Sequence, residues 1–424
     1  MREDFLCYVW QHKLLNNNIL KSSEQEDIEI IHPGTRNYDS GPDYTAAKIR
    51  IGRTIWAGNV EIHIKASDWI AHKHHKDPAY SNIILHVLYV DDTKNKHTHR
   101  VLPLPSLEIK NYIDNKIYNN FHRLINQKNW VACQNLIQNV NKIIISNWLN
   151  RLIIERLENK SEEILHFLKY NNNNWEETFY YFLARNFGFK KNKTAFGMLA
   201  QRTPYKALGK HKNQLLQLEA LLFGQAGFLN EDFEDVYPKT LKSEYFFLKK
   251  KYNLKPLEKK LWKHSKLRPA NFPCIRISQF SQLFHRSKKL FRELMNAKTL
   301  HEIHKLFEIE CSPYWVKHYM FDKASIDKTK MLGEDSINNI IINTIIPFMF
   351  IYGKERLDKN LMDRSLEFLS QLPPESNHIV RKWGVTGVNA HSAADSQALI
   401  ELKKSYCISK KCLTCPVGHQ IINH

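Results

Sequence analysis

Two hydrophobic periods alternate over the first 128 residues, and one of them dominates the rest. Phe5, Leu6, Val9 and Trp10 share one helical face, which predicts an amphipathic helix at the start. Residues 27–34, DIEIIHPG, predict a short strand ended by Pro33-Gly34, and a turn-rich stretch follows over 35–43. Residues 44–52 and 55–65 then read as two strands of a hairpin joined at Arg53-Thr54. Residues 66–82 predict a part-helical segment rich in polar side chains. Residues 83–90, IILHVLYV, form a near-continuous apolar run, as a central strand covered on both faces requires. The predicted order is helix, strand, strand, strand, helix, strand (αβββαβ), around a small mixed sheet.

From about residue 129 the apolar spacing settles near one helical turn, in LIIERL, ETFYYFLARNF, QLLQLEALLF and HEIHKLFEI. The expected organisation is an α/β domain over 1–128, a mostly α-helical region over 129–400 and a cysteine-rich tail over 401–424. The most apolar stretch, 337–352, is broken by Asn338, Asn339, Asn343 and Pro347. It falls short of the roughly 20 clean apolar residues of a membrane span and predicts a buried helix. No membrane partner is expected. Glu3 and Asp4 near the start, without a small-residue cleavage site, argue against a secretory signal and for a cytoplasmic protein.

Composition adds a charge argument. The chain has 424 residues, 43% hydrophobic and 25% charged, which excludes disorder, collagen and coiled coil as the main architecture. Its formal net charge of +19 favours a polyanionic partner, nucleic acid or an anionic membrane surface. An AT-rich coding sequence, which favours Lys, Asn and Ile, is the plain alternative. Between Lys239 and Lys305, 18 Lys/Arg face 4 Asp/Glu. Tyr245, Phe246, Phe247, Tyr252, Trp262, Phe272, Phe280 and Phe284 are interleaved with them. Bases with aromatics suit a surface that tracks a nucleic-acid backbone; ordinary helices with Lys-rich solvent faces would read the same way. No G-x4-G-K-[ST] loop is present, so ATP use is not expected.

The sharpest chemical signal is Gly41-Pro42-Asp43 followed on the next strand by Glu61-Ile62-His63-Ile64-Lys65. Alternation puts Glu61, His63 and Lys65 on one face. Asp43 and Glu61 lie at similar distances from the turn near Arg53, so pairing brings them to the same end of the sheet. Two carboxylates with a basic side chain make a site for Mg²⁺ or Mn²⁺, which can polarise a phosphodiester and acidify an attacking water. This arrangement resembles the PD-(D/E)XK nuclease superfamily over residues 1–110. The resemblance implies a restriction-endonuclease-like core and a metal-dependent nuclease acting on DNA. It makes Asp43 and Glu61 metal ligands and His63 or Lys65 the basic group. It also brings Glu3, on the first helix, towards the metal; a favourable charge at a helix N-terminus is the other reading of Glu3. His63 stands where the superfamily has Lys, with Lys65 two residues later. The alternative is a degenerate, catalytically inactive core in a nucleic-acid-binding or scaffold protein, with Glu61 and His63 a structural pair.

Asp68, His72, His74, His75 and Asp77 follow the hairpin. His72 and His75 have i, i+3 spacing and would both face the site from a helix. His86, on the apolar strand, reads as a satisfied core histidine.

All seven cysteines are too sparse for a disulfide framework. Cys407, Cys412 and Cys415 have C-x4-C-x2-C spacing and suit zinc or an iron–sulfur cluster. The fourth ligand is His419, four residues on, or Cys133, distant in sequence. Some PD-(D/E)XK nucleases carry such a cluster, with one cysteine before the nuclease motifs and three at the C-terminus; Cys133 follows the motifs here. Over its whole length the chain also resembles an uncharacterised bacterial family catalogued as a domain of unknown function. Trp10, the SGPDY…WAGNVEIHIKASDW…DPAY…ILHVLY block, EALLFGQAGFL, NFPCIRISQ and the cysteine tail carry that resemblance.

Overall fold

In the computed structural model, which describes residues 1–16, 19–93 and 104–424, helix α1 (Glu3–Gln11) is buried on all sides. Each residue from Phe5 to Trp10 is at most 3% exposed. The sequence pattern predicted one apolar face; Cys7 and Tyr8 are buried as well, because the helix is covered twice. A helix enclosed this way is a core element. The Tyr44 hydroxyl donates to Cys7 O at 2.7 Å and the Trp10 indole to Pro33 O at 2.9 Å. These bonds fix the depth and rotation of α1, and so the position of Glu3 at its start.

Among the described residues the sheet has seven strands: β1 (Leu20–Lys21), β2 (Asp27–His32), β3 (Thr35–Arg36), β4 (Tyr44–Ile51), β5 (Thr54–Lys65), β6 (Ile83–Val90) and β7 (Ser106–Glu108). Their spatial order is β1-β2-β4-β5-β6-β7, with β3 also pairing β4. The β2–β4 and β4–β5 pairs are antiparallel; β5, β6 and β7 are parallel. The longer strands coincide with the predicted ones, while β1, β3 and β7 are additions of two or three residues. The predicted crossover helix is one turn, α2 (Asp68–Ala71), followed by two 3-10 turns. Ile83 to Leu88 of β6 are all buried between parallel neighbours, as their unbroken apolar run requires.

A bulge sets the register. Ile51 pairs with Thr54 and Ala47 with Gly58, but Tyr44 pairs with Val60, so β4 carries one extra residue. Ala46 takes it up in a left-handed conformation, φ 55°. Without the bulge Asp43 would face Ile62; with it Asp43 faces Glu61. A one-residue slip moves a side chain to the other face of a sheet.

The chain forms two units, residues 1–148 with 402–424, and residues 149–401. The expected boundary at 128 thus moves to 148, and the tail is no separate part. Ile422 lies in the same core as Phe5 and Phe121. Asn120, on α3 (Asn115–Ile125), donates to Ile422 O at 3.2 Å, and Asn141 N–H donates to Gln420 Oε1 at 3.0 Å. Burial of one apolar side chain and satisfaction of backbone groups tie the segment down.

The second unit is mostly helical. Trp175–Phe187, Leu215–Gln225 and Leu300–Leu306 lie where the periodicity marked helices, and a small hairpin, His318–Met320 with Lys323–Ala324, was not expected. Glu334–Glu355 is long and apolar enough to cross a membrane, but 78% of its most apolar window is buried in the fold. The EALLFGQAGFL and NFPCIRISQ blocks meet in this unit. Ser278 donates to Glu219 Oε1 at 2.9 Å, and Tyr237 donates to Oε2 at 2.7 Å. Burial raises the Glu219 carboxyl to about 7. A carboxyl raised this way supports the fold at low pH and loses that support as pH climbs through 7. Glu219→Ala is predicted to lower stability in urea by about 2 kcal/mol by removing the acceptor that two buried hydroxyls share. Glu219→Gln, which needs no buried charge, should gain on the wild type above pH 7. Equal urea midpoints for all three proteins would contradict this role.

Candidate metal centre

Asp43 and Glu61 interlock at the rim of β4 and β5. The Asp43 N–H donates to Glu61 Oε2 at 3.0 Å, and the Ile62 N–H donates to Asp43 Oδ2 at 3.0 Å. Each carboxylate is aimed by the other strand's backbone. Arg36, on β3, sits 3.0 Å from Asp43 Oδ1 and donates to the Cys7 sulfur. Glu3 faces the same ground: burial and Asp43 raise its carboxyl pKa, while His72 and Arg36 pull it down. Burial, then Asp43, lifts Glu61 to about 8. Burial raises Asp43 too, against Arg36 and the Ile62 N–H. Carboxyls crowded in this way share protons near neutral pH unless a cation replaces them.

Histidines close the other side. His63, 1% exposed, lies on the Glu61 face with Nε2 3.5 Å from Glu61 Oε1. Its Nδ1 is 2.8 Å from His86 Nε2, and β6 places His86 level with Glu61. His72 Nδ1 is 3.3 Å from His63 Nε2. His74 Nε2 is buried and approaches Glu61 Oε1 at 3.4 Å without forming a hydrogen bond. One ligand atom each from His63, His72 and His74 lie within 4.8 Å of one another. Burial, then the neighbouring histidines, push His63 down to about 4 and His86 to about 3, and lower His74 as well. Burial thus favours the neutral form of all three rings, the form that binds metal. His74 stacks on Tyr80 at 3.9 Å and meets Trp69 edge-on.

Local backbone explains which histidines arrive. The helix ends at Ala71, and Lys73 takes φ 62°, reversing the chain. His72, though exposed, therefore reaches His63, the half-buried His74 reaches Glu61, and His75 stays exposed, which corrects the expected His72–His75 pair. Lys65 ends β5 in the same register, exposed, and its charge bears on Asp92. His86 is no isolated core residue, since it orients His63. Arg36 and Tyr80 carried no signal in the sequence.

Cys133, Cys407, Cys412 and Cys415 come together in the first unit, where burial first and then the neighbouring sulfurs raise the thiol pKa values of Cys133 and Cys407. His419 is engaged elsewhere, with Nδ1 2.9 Å from the Tyr8 hydroxyl. In the 239–305 stretch, Tyr245, Trp262, Phe280 and Phe284 are core residues, which corrects the interleaved surface expected there. Phe246 and Phe247 are exposed, 60% and 61%, with the Lys250 and Lys251 ammonium groups over their rings. The second unit also has a cavity of about 620 Å³ bordered by Arg156, Lys160, Arg185, Lys190 and Lys193 with the single acid Glu163.

The Glu61 proton links metal binding to pH. In the metal-free protein a carboxyl raised to about 8 supports the fold at low pH and loses that support as pH rises through 8. A cation must displace the proton, so Mn²⁺ affinity should rise by about tenfold per pH unit from 6 towards 8 and then level off. Calorimetry in buffers of different ionisation enthalpy would read the released proton. An affinity independent of pH would contradict the coupling.

No curated protein and no solved structure matches the chain. Residues 3–378 match the model of a family described as "Protein of unknown function (DUF2851)", and the chain belongs to that family.

Proposed function

We propose that this protein is a divalent-metal-dependent phosphodiesterase that hydrolyses nucleic acid, with DNA as the substrate. The observation that carries the reading is the interlocked Asp43–Glu61 pair with Glu3 and the neutral histidines beside it. The placement of the two acids supports it: Asp43 stands just before β4 and Glu61 on the adjacent β5, as the PD-(D/E)XK resemblance expects.

The donor set fits a cation. Asp43, Glu61 and Glu3 offer hard oxygens, and the buried Nε2 of His74, without a hydrogen bond, offers nitrogen. Mixed oxygen and imidazole donors favour Mn²⁺ over Mg²⁺. When bound, such an ion polarises a phosphoryl oxygen and brings the pKa of a water towards 7. The chain's own residues hold and aim the donors. Arg36 keeps negative charge on Asp43, and the Ile62 N–H fixes that carboxylate's orientation. His86 sets the ring of His63, which stands where the superfamily has Lys. His63 titrates too low to be an efficient base at pH 7, so it serves as a neutral donor beside Glu61. Lys65 has no part in this scheme. The basic cavity of the second unit and the Lys-flanked Phe246 and Phe247 suit a phosphate backbone and its bases.

The test is cleavage of end-labelled single- and double-stranded DNA by the full chain with Mn²⁺. Glu61→Gln and Asp43→Asn should each slow it by at least about 100-fold, with DNA affinity nearly unchanged. Cleavage that persists in Glu61→Gln rejects the reading. Salt-sensitive binding with no cleavage by the wild type would favour an inert nucleic-acid-binding core instead.

A further inference from the structure

We infer that Cys133, Cys407, Cys412 and Cys415 form a four-thiolate site for a thiophilic metal centre, zinc or an iron–sulfur cluster, which locks the C-terminal segment onto the first unit. Nothing in this inference rests on the nuclease reading. Four of the seven free cysteines gather here. The other three are held singly: Cys7 beside Arg36, Cys311 against Ile275 O, and Cys274 within its helix.

The backbone from 407 to 418 is folded as a knuckle. The Lys410 N–H donates to Cys407 O at 3.2 Å, and Lys410 itself is left-handed, φ 51°, which turns the chain back. The Cys415 N–H reaches Cys412 O at 3.4 Å. Gly418 is required here: a Cβ at that position would stand 2.1 Å from Cys412 O. Cys415 is the N-cap residue of the helix Pro416–Asn423, and the nearby Gly418 and Val417 N–H groups temper the rise that burial imposes on its thiol pKa. Backbone N–H groups beside a sulfur favour the thiolate, the form that binds metal.

Cys133 arrives from far along the chain and is delivered by two lysines. Lys403 Nζ donates to Trp130 O at 2.5 Å and lies 4.8 Å from the centre of its indole ring. Lys410 Nζ donates to Ile125 O and, at 3.1 Å, to Gln127 O. The segment before Cys133 is thereby stitched to the knuckle, and the Cys133 sulfur lies close enough to those of Cys412 and Cys415 to bear on their charge. The local candidate for fourth ligand is committed elsewhere. His419 meets the Tyr8 hydroxyl and packs against His12, ring centres 4.5 Å apart. Buried thiols keep their protons unless a metal replaces them, and four sulfurs match either centre.

The consequence is mechanical. Cys412, Leu413 and Ile421 pack on the core that holds α1. A metal at the knuckle would pin residues 402–424 against the helix that presents Glu3.

The experiment is anaerobic purification of the full chain with metal, sulfide and absorbance analysis. Either about one zinc per chain without colour, or several irons with acid-labile sulfide and brown absorbance, supports the site and identifies its occupant. Cys133→Ser and Cys415→Ser should each lower that content at least tenfold, and His419→Ala should leave it unchanged. Should the serine variants fail to fold, chelation of the wild type should speed amide exchange in 402–424, with little change in the second unit. A metal-free wild type with a protected tail, or metal content unchanged in Cys133→Ser, overturns the inference.

Discussion

The reciprocal bonding of Asp43 and Glu61 is the constraint on which the rest of the first unit depends. Each carboxylate accepts from a backbone N–H of the opposite strand. Both must therefore stay at one rim while strands β4 and β5 remain paired in this register. The left-handed Ala46 makes that register possible by adding one residue to β4. Two buried acids held side by side cost electrostatic free energy. The surroundings offset it with one guanidinium, that of Arg36, and with neutral imidazoles. On the proposed reading, a cation would supply the positive charge this rim lacks.

The other elements of the unit serve that rim from behind. Helix α1 is fixed by Tyr44 and Trp10 and brings Glu3 from one side. The short α2 and the reversal at Lys73 bring His72 and His74 from the other. β6 supplies His86 at the level of Glu61, so the buried strand contributes orientation as well as core. The C-terminal segment packs into the core that holds α1 through Ile422 and the knuckle around Cys412. The first helix is thereby held in place by residues about 400 positions away.

Much of this was legible in the sequence, for physical reasons. Period-two alternation gives the hairpin, and an unbroken apolar run gives β6. Both follow from side-chain direction in a strand, so the meeting of Asp43 and Glu61 could be anticipated. The bulge could not, because Ala46 does not look like a left-handed residue. The histidines were misassigned because a helix was extended past Ala71, where the chain in fact turns. Lys65 continues the register of β5, and its exposure at the strand's end is not something alternation encodes. Arg36 is positioned by tertiary pairing of a two-residue strand, which leaves no periodic trace. The aromatics of 239–305 show the limit of composition: Tyr245, Trp262, Phe280 and Phe284 interleave with lysines yet face the core. Cysteine spacing marked three sulfurs of the knuckle, but only the fold brings Cys133 to them.

The central claim is that the rim of β4 and β5 holds a divalent ion. Anomalous diffraction from crystals grown with Mn²⁺ tests it most directly. The account predicts a manganese peak at coordination distance, about 2.0–2.3 Å, from carboxylate oxygens of Asp43 and Glu61 and from at least one imidazole nitrogen of the cluster. A structure saturated with Mn²⁺ in which no peak falls at that rim, with Asp43 still paired to Arg36 and Glu61 still against His63 and His74, would contradict it.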